Sequence, residues 1–342
     1  MTALRGGHPD ITPFTVYDEK ISSCDLRTDL VDRGMAIVKR VTSYTIHRPN
    51  VWVQSVPCTD DRGRQMLRRI YSTPYGELST LEEPAGFTTW RHEHLFKTPE
   101  DFRALLFIIE DAVVEPNYDC TAKLTVELGE DYVVRDNLPL EPMQSLISSS
   151  LMSMEDYCIQ WMDNRDEVLK LYEAQVEVNR SVYPIVAAGP QEFANYGGNV
   201  TPQVIGVSTF RDYYIPHYNE AAEIFHKAGK LLGCHFDADN TPIMSAIAET
   251  DLDYIEAYDP GISPSVRVAR EAWPDKVLWI NWPSAWHLHP AASIKSETLQ
   301  LVEEAAPGNG FIIGITEDVP EDRWRVNYAA IMDAIEEYSE RQ

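Results

Sequence analysis

No run in this chain of 342 residues approaches the roughly 18 consecutive apolar residues of a membrane-crossing helix, and the opening Met1-Thr-Ala-Leu-Arg5 has no apolar signal core. The expectation is a soluble, cytoplasmic protein with no membrane partner. Basic residues are in short supply: 29 Lys and Arg stand against 54 Asp and Glu, a formal net charge of −25. The acids are scattered along the chain, so the whole surface repels phosphate backbones, which argues against nucleic acid and leaves small molecules or a protein with a complementary patch. Cysteine is scarce too. The five, at 24, 58, 120, 158 and 234, are odd in number, widely spaced and never in a CxxC arrangement, as free thiols in a reducing compartment would be. No GxGxxG or P-loop follows an apolar run, which removes the usual nucleotide reasons for an open doubly wound sheet. Internal repeats and low-complexity tracts are also missing.

What is present, in the C-terminal half, is a repeated strand-then-helix grammar. Apolar β-type runs at 183–189, 231–237, 254–258, 276–281 and 310–316 alternate with helical patterns at 211–229, 241–250, 264–272, 292–305 and 322–340. Such alternation implies a parallel sheet with helices outside. Regular connections and polar residues repeated at strand ends favour closure, and the predicted fold class is α/β, a (β/α)8 TIM barrel. The first half is less regular: residues 1–30 read as a lead-in, 31–47 as a helix, and 52–96 as hairpins, with turn signals in Ile70-Tyr-Ser-Thr-Pro-Tyr-Gly76 and Glu83-Pro-Ala-Gly-Phe-Thr-Thr-Trp90. Residues 1–95 are therefore expected to form an N-terminal, hairpin-containing extension that caps the barrel, and 96–342 the barrel itself, within one domain.

The most informative segment is Leu231-Leu-Gly-Cys-His-Phe-Asp-Ala-Asp-Asn-Thr-Pro242. His235 and Asp237 stand two apart at the end of an apolar run, so strand alternation points both the same way. The bland reading makes His235 a core residue and Asp237 a helix cap, yet Asp239 and Asn240 already provide cap chemistry before Thr241-Pro242. Cys234 faces the other side of the strand, where a buried structural role suits it. Gly310-Phe-Ile-Ile-Gly-Ile-Thr-Glu-Asp-Val-Pro320 repeats the grammar and brings Glu317 to the same rim, while Asp318 is better placed to favour the last helix. One His and two carboxylates make a three-ligand metal set with an open position.

Other candidates carry weaker signals. Tyr196-Gly-Gly-Asn-Val-Thr201 could aim Asn199 at a substrate, or be ordinary turn vocabulary. Trp282-Pro-Ser-Ala-Trp-His-Leu-His289 offers His287 and His289 as substrate contacts, and His92 and His94 could line a pocket. Aromatic residues at loops and strand ends, Trp52, Tyr75, Phe87, Trp90, Tyr196, Tyr213, Tyr214, Trp282 and Trp286, could wall a slot for a flat ring, although many aromatics serve the core. The expected pocket set is Tyr196, Trp90, Tyr213, Trp282 and His287.

From about residue 70 onward the chain resembles the uroporphyrinogen decarboxylase superfamily. The resemblance rests on Thr73-Pro-Tyr-Gly76, Thr88-Thr-Trp-Arg-His92, Phe96-Lys-Thr-Pro-Glu-Asp101, Tyr213-Tyr-Ile-Pro-His217, the strand holding His235, Asp253-Tyr-Ile-Glu-Ala-Tyr-Asp-Pro260 and Gly308-Asn-Gly-Phe-Ile-Ile-Gly314. Nothing here matches the N-terminal Arg-Gln-Ala-Gly-Arg signature of the porphyrin decarboxylases, which points instead to the cobamide-dependent methyltransferase branch. Members that methylate a thiol hold zinc with His-x-Cys-Gly and a later Cys. Aligned on that pattern, His235 keeps the His position, while Asp237 and Glu317 stand where the two Cys would be. Carboxylates leave zinc a harder acid than thiolates do, better suited to an oxygen ligand. The resemblance thus implies the first methyltransferase of a bacterial O-demethylase system: one zinc per chain, a small methoxylated aromatic substrate, and the Co(I) of a corrinoid supplied by a separate protein. Two rivals stay open. One is a metal-dependent lyase or hydrolase with Asp239 or Glu192 as general base; the other is a catalytically inactive barrel that only binds a corrinoid protein or ligand.

Overall fold

Short apolar runs buried on both faces decide the architecture. In the computed structural model, which describes residues 1–85 and 88–341, eight parallel strands close into a barrel: β1 (Phe14–Tyr17), β2 (Ala36–Val41), β3 (Tyr132–Asn137), β4 (Phe193–Tyr196), β5 (Leu231–His235), β6 (Tyr254–Tyr258), β7 (Val277–Asn281) and β8 (Phe311–Ile315). Each pairs with its neighbours in chain order, and β8 returns to β1 in register Phe14↔Ile313. Strands such as β7 and β8 are buried at every position, as a parallel sheet covered by helices requires. The last helix, Trp324–Glu340, shows the matching pattern: Trp324, Tyr328, Ile331, Met332 and Ile335 fall on one stripe and are buried.

The chain divides into two compact units. One comprises Met1–Ser43, Tyr118–Leu138 and Val186–Gln342 and holds the barrel. Its lower interior is filled by Tyr17, Val38, Phe193, Tyr254, Val277, Trp279 and Ile312, and the turn Ala3–Arg5 adds Ala3 and Leu4 to the same cluster. Polar atoms of the large rings are satisfied inside: Trp279 Nε1 donates to Thr15 Oγ1 (2.9 Å) and the Tyr254 hydroxyl to the Ala194 carbonyl (2.5 Å). Gly233 is required here, because a Cβ would stand 2.1 Å from the Tyr254 ring. The second unit, Tyr44–Asn117 with Pro139–Ile185, carries an antiparallel sheet of Trp52–Thr59, Gln65–Thr73, Gly76–Ala85 and Thr88–Glu93, a strand pair Tyr44–His47 with Val113–Pro116, and helices that include Phe102–Glu110 and Met154–Asp163.

The barrel and the hairpins agree with the sequence reading, but their boundaries differ. The barrel starts at Phe14, inside the stretch read as lead-in, and the hairpin sheet is inserted between β2 and β3 rather than preceding the barrel at residue 96. The helix expected at 31–47 is strand β2 followed by Tyr44–His47. Its apolar positions fit either period, and the β-branched Ile37, Val38 and Val41 suit the strand. The strand expected at 183–189 is the end of the long helix Arg165–Ala188, which accommodates Pro184, and the true β4 lies just beyond. The helix at 211–229 is two, Pro202–Tyr213 and Ile215–Lys227. None of the five cysteines forms a disulfide, and Cys234 is buried, its Sγ 3.6 Å from the Tyr218 hydroxyl. Among the described residues, no helix is long and apolar enough to cross a membrane.

Candidate metal centre

β5 ends on His235, and its ladder continues one step further through the Phe236 N–H donating to the Glu256 carbonyl (2.8 Å). Phe236 turns outward against Phe210 and Tyr218, and His235 and Asp237 share the opposite face. Two strands' ends come together around them: His235, Asp237 and Glu317 each offer an atom within 4.8 Å of the others. His235 Nε2 lies 3.5 Å from Asp237 Oδ2 and 3.9 Å from Glu317 Oε1.

Beneath the imidazole is a buried polar network. His235 Nδ1 meets Glu256 Oε2 at 2.6 Å, and the same oxygen accepts from Asn195 Nδ2 (3.1 Å). Glu256 Oε1 pairs with Arg135 Nη1 (2.9 Å) and accepts from the Tyr17 hydroxyl. Glu256 and Arg135 are almost wholly inaccessible. Removing one member of such a buried ion pair strands the other, at a cost of about 3–5 kcal/mol. Burial opposes the Glu256 charge, and Arg135, His235 and Tyr17 together overcome it, so its carboxyl lies well below the usual range. Burial likewise opposes charge on His235, yet Glu256 and Asp237 outweigh it and push the imidazole up to about 10. Burial raises Glu317, with His235 opposing and Asp237 adding to the rise. The centre thus holds more negative charge than it can leave uncompensated: it draws a positive charge between the imidazole and the two carboxylates, a proton or a cation.

The donor set fits zinc. A tetrahedral ion with bonds of about 2.1 Å separates its ligand atoms by roughly 3.4 Å, close to the His235–Asp237 spacing and within a small contraction of the His235–Glu317 one. Nδ1 faces Glu256 at 2.6 Å, so an ion that displaced the Nε2 proton would be held through Nε2 with the remaining proton on Nδ1, a carboxylate–histidine–metal arrangement. The His235 side chain is 12 % exposed against 33 % for Asp237 and 45 % for Glu317, so the solvent side stays open for a further ligand.

The neighbouring loop is packed onto this centre. Gly198 (φ 74) approaches so closely that a Cβ would stand 2.1 Å from the His235 carbonyl oxygen. Asn199 follows it at φ 57 and is exposed, directly after the end of β4. A cavity of about 330 Å³ adjoins Asp237 and Glu317.

The expected pocket aromatics do not gather here. Tyr196 is fully buried edge-on to Tyr218. Trp282 is fully buried, donating to Thr298 on the helix Ala291–Glu304, and His287 packs beneath it with Asn327 Nδ2 at 3.1 Å from its Nδ1. These three are core residues, because alternation and the helix layer turn them away from the mouth. Tyr213 is half-buried at the end of its helix, Trp90 and His92 are exposed and His94 half-buried in the second unit, and Phe87 lies outside the described residues. Neither general-base candidate faces the centre as free acid. Asp239 accepts from Thr241 N–H and Oγ1, capping the following turn, and Glu192 precedes β4 at the other end of the barrel, paired with Arg5. Residues that sequence reasoning missed are Glu256, Arg135, Asn195 and Tyr17. Their signal was available: charged or polar residues in strand runs otherwise apolar.

No protein-family model matches the chain, and none of the curated proteins does. Among solved structures, a methyltransferase from Methanosarcina mazei is similar at a TM-score of 0.52 and 14 % identity, over 73 % of this chain and 72 % of that one. A B12-independent methionine synthase from a Shewanella species aligns over 92 % of this chain and 87 % of its own at 10 % identity and TM-score 0.43. A family 5 glycoside hydrolase from Prevotella bryantii aligns over 98 % of both chains at 10 % identity and TM-score 0.46. At these identities the likeness is one of fold.

Proposed function

We propose that the chain is a metal-dependent methyltransferase that takes the methyl group of an O-methyl substrate and passes it to the Co(I) of a corrinoid held by a separate protein. The observation that carries the proposal is the convergence of His235, Asp237 and Glu317 at the barrel mouth, with the imidazole held from below by Glu256. When bound, a zinc-like ion supplies Lewis acidity to an ether oxygen and eases its departure. Glu256 orients the imidazole, and Asp237 and Glu317 arrive from the ends of two different strands, so the barrel itself presets the donor geometry. The replacement of soft donors by carboxylates, seen in the resemblance to cobamide-dependent enzymes, favours oxygen over sulfur as the atom activated. The C–O bond breaks with its electron pair on oxygen, the methyl goes to the cobalt nucleophile as co-substrate, and a solvent proton completes the alcohol. The Methanosarcina neighbour is itself a methyltransferase, which agrees with this reading. The two bases named for the lyase or hydrolase alternative, Asp239 and Glu192, are engaged elsewhere.

Elemental analysis of purified wild type beside Asp237→Ala and Glu317→Ala tests the proposal. About one zinc per chain in wild type, lost from both variants, is the expected result, followed by methyl transfer to Co(I) corrinoid protein. Wild type that takes up no metal even after incubation with zinc would remove it.

A further inference from the structure

The cavity of about 330 Å³ has Asp237 and Glu317 in its wall, so whatever fills it lies against the candidate metal centre. That volume is at the lower end for small-molecule sites. The rest of the wall is of two kinds: the polar Asp259, Asn281 and Ser284, and small aliphatic residues such as Ala257 and Ile262. Among the described residues, no aromatic side chain lines it.

Asp259 reaches this cavity through a local departure from strand geometry. Glu256 points into the barrel, so undisturbed alternation would turn Tyr258 inward and Asp259 outward. Instead Ala257 adopts φ 61, and the register against β7 slips between Glu256 and Tyr258. Such a bulge re-aims the residues after it. Tyr258 packs on Trp273 and donates to the Pro264 carbonyl, and Asp259 enters the cavity wall. A buried L-residue in the left-handed region beside a candidate active centre fits the general association of backbone strain with function.

The three polar groups are held by their neighbours. Asp259 Oδ1 accepts from the Gly261 N–H (2.7 Å) and Oδ2 from the Ser284 N–H (3.1 Å) and, at 3.5 Å, from Asn281 Nδ2, which still leaves lone-pair capacity on the carboxylate. Asn281 Oδ1 accepts from both Thr316 N–H and Oγ1 (3.0 Å each), so its amide is fixed with Nδ2 donating to Ser284 Oγ (2.9 Å). Ser284 thereby keeps its own proton for an acceptor in the cavity. An acceptor and a donor stand side by side, tied to the ends of β6, β7 and β8.

Resting on the methyl-transfer reading, we infer that this cavity takes a compact aliphatic methyl ether bearing neighbouring hydroxyl groups, an O-methylated sugar or polyol, rather than an aryl methyl ether. Adjacent hydroxyls both donate and accept, which matches the Asp259–Ser284 pair. A flat ring would find no aromatic partner and would offer nothing to the remaining acceptor capacity of Asp259 or to the Ser284 hydroxyl.

Calorimetric titration of zinc-loaded wild type, Ser284→Ala and Ser284→Thr, with O-methyl hexoses and O-methyl inositols against 2-methoxyphenol and 4-methoxybenzoate, is the test. The expected result is an O-methyl polyol that binds at least about tenfold tighter than either aryl ether. Its affinity should fall roughly tenfold in Ser284→Ala and return in Ser284→Thr, with zinc content the same in all three. Tighter binding of an aryl ether, polyol binding indifferent to Ser284→Ala, or no polyol binding at all overturns the inference. Demethylation of aryl ethers by Co(I) corrinoid protein with polyols inert would do so while leaving the methyl-transfer reading intact. Polyol binding with no methyl passed to Co(I) would support the cavity assignment and sink methyl transfer instead.

Discussion

Glu256 is the residue on which the candidate centre turns. It touches His235, Arg135, Tyr17 and Asn195 at once, from a fully buried position in β6. Exchanging its carboxylate for an amide keeps the volume and removes the charge that makes the His235 ring basic. Glu256→Gln is therefore expected to weaken zinc binding by about 10–100-fold, read by competition with a chromogenic chelator. Unchanged zinc affinity would reduce the contact to packing. This residue was legible only in part: an acid inside Tyr254-Ile-Glu-Ala-Tyr258 is conspicuous, but its partner could be any interior group until the barrel is closed. His235, Asp237 and Glu317 were legible because period-two alternation and matching strand-end grammar are local properties.

At the level of the element, β6 is where local geometry and function pull apart. An alanine held at φ 61 in a barrel strand costs about 1–2 kcal/mol relative to ordinary backbone. Ala257→Gly should relieve most of that, less the entropy of a freer unfolded chain, and raise stability by about 1 kcal/mol in urea unfolding. A clear loss of stability would mean that the methyl contact outweighs the strain. The same bulge explains why Asp259 was not singled out in sequence, since simple alternation sends it outward. Ala36–Val41 and Tyr183–Gly189 were misread for a related reason: short apolar runs satisfy helix and strand periods alike, and only the tertiary partner decides. In the barrel, Ala36–Val41 is flanked by β1 and β3, which supply the missing ladder.

For the molecule as a whole, buried titratable groups set the pH response. Burial pushes His287 down to about 4 from an ordinary 6.5. The unfolded chain therefore binds a proton between those values that the folded one refuses, so this contribution to stability is present above about 6.5 and is lost as pH falls toward 4. Wild type should lose on the order of 3 kcal/mol more than His287→Phe between pH 7 and 4, measured by urea unfolding across that range. Parallel pH profiles would show that His287 is protonated without unfolding.

The sequence by itself determined the barrel class, the strand ends that carry His235, Asp237 and Glu317, and the outward turn of Cys234, because each follows from periodicities of two and 3.6 within single segments. The tertiary structure alone decided that β1 and β2 belong to the barrel, that the hairpin sheet is an insertion, that Tyr196, Trp282 and His287 are core, and that Arg135, Tyr17 and Asn195 stand beneath Glu256. These depend on which distant segments become neighbours when eight strands close into a ring, and that choice is made by the shared burial of the whole interior rather than by any one stretch of chain.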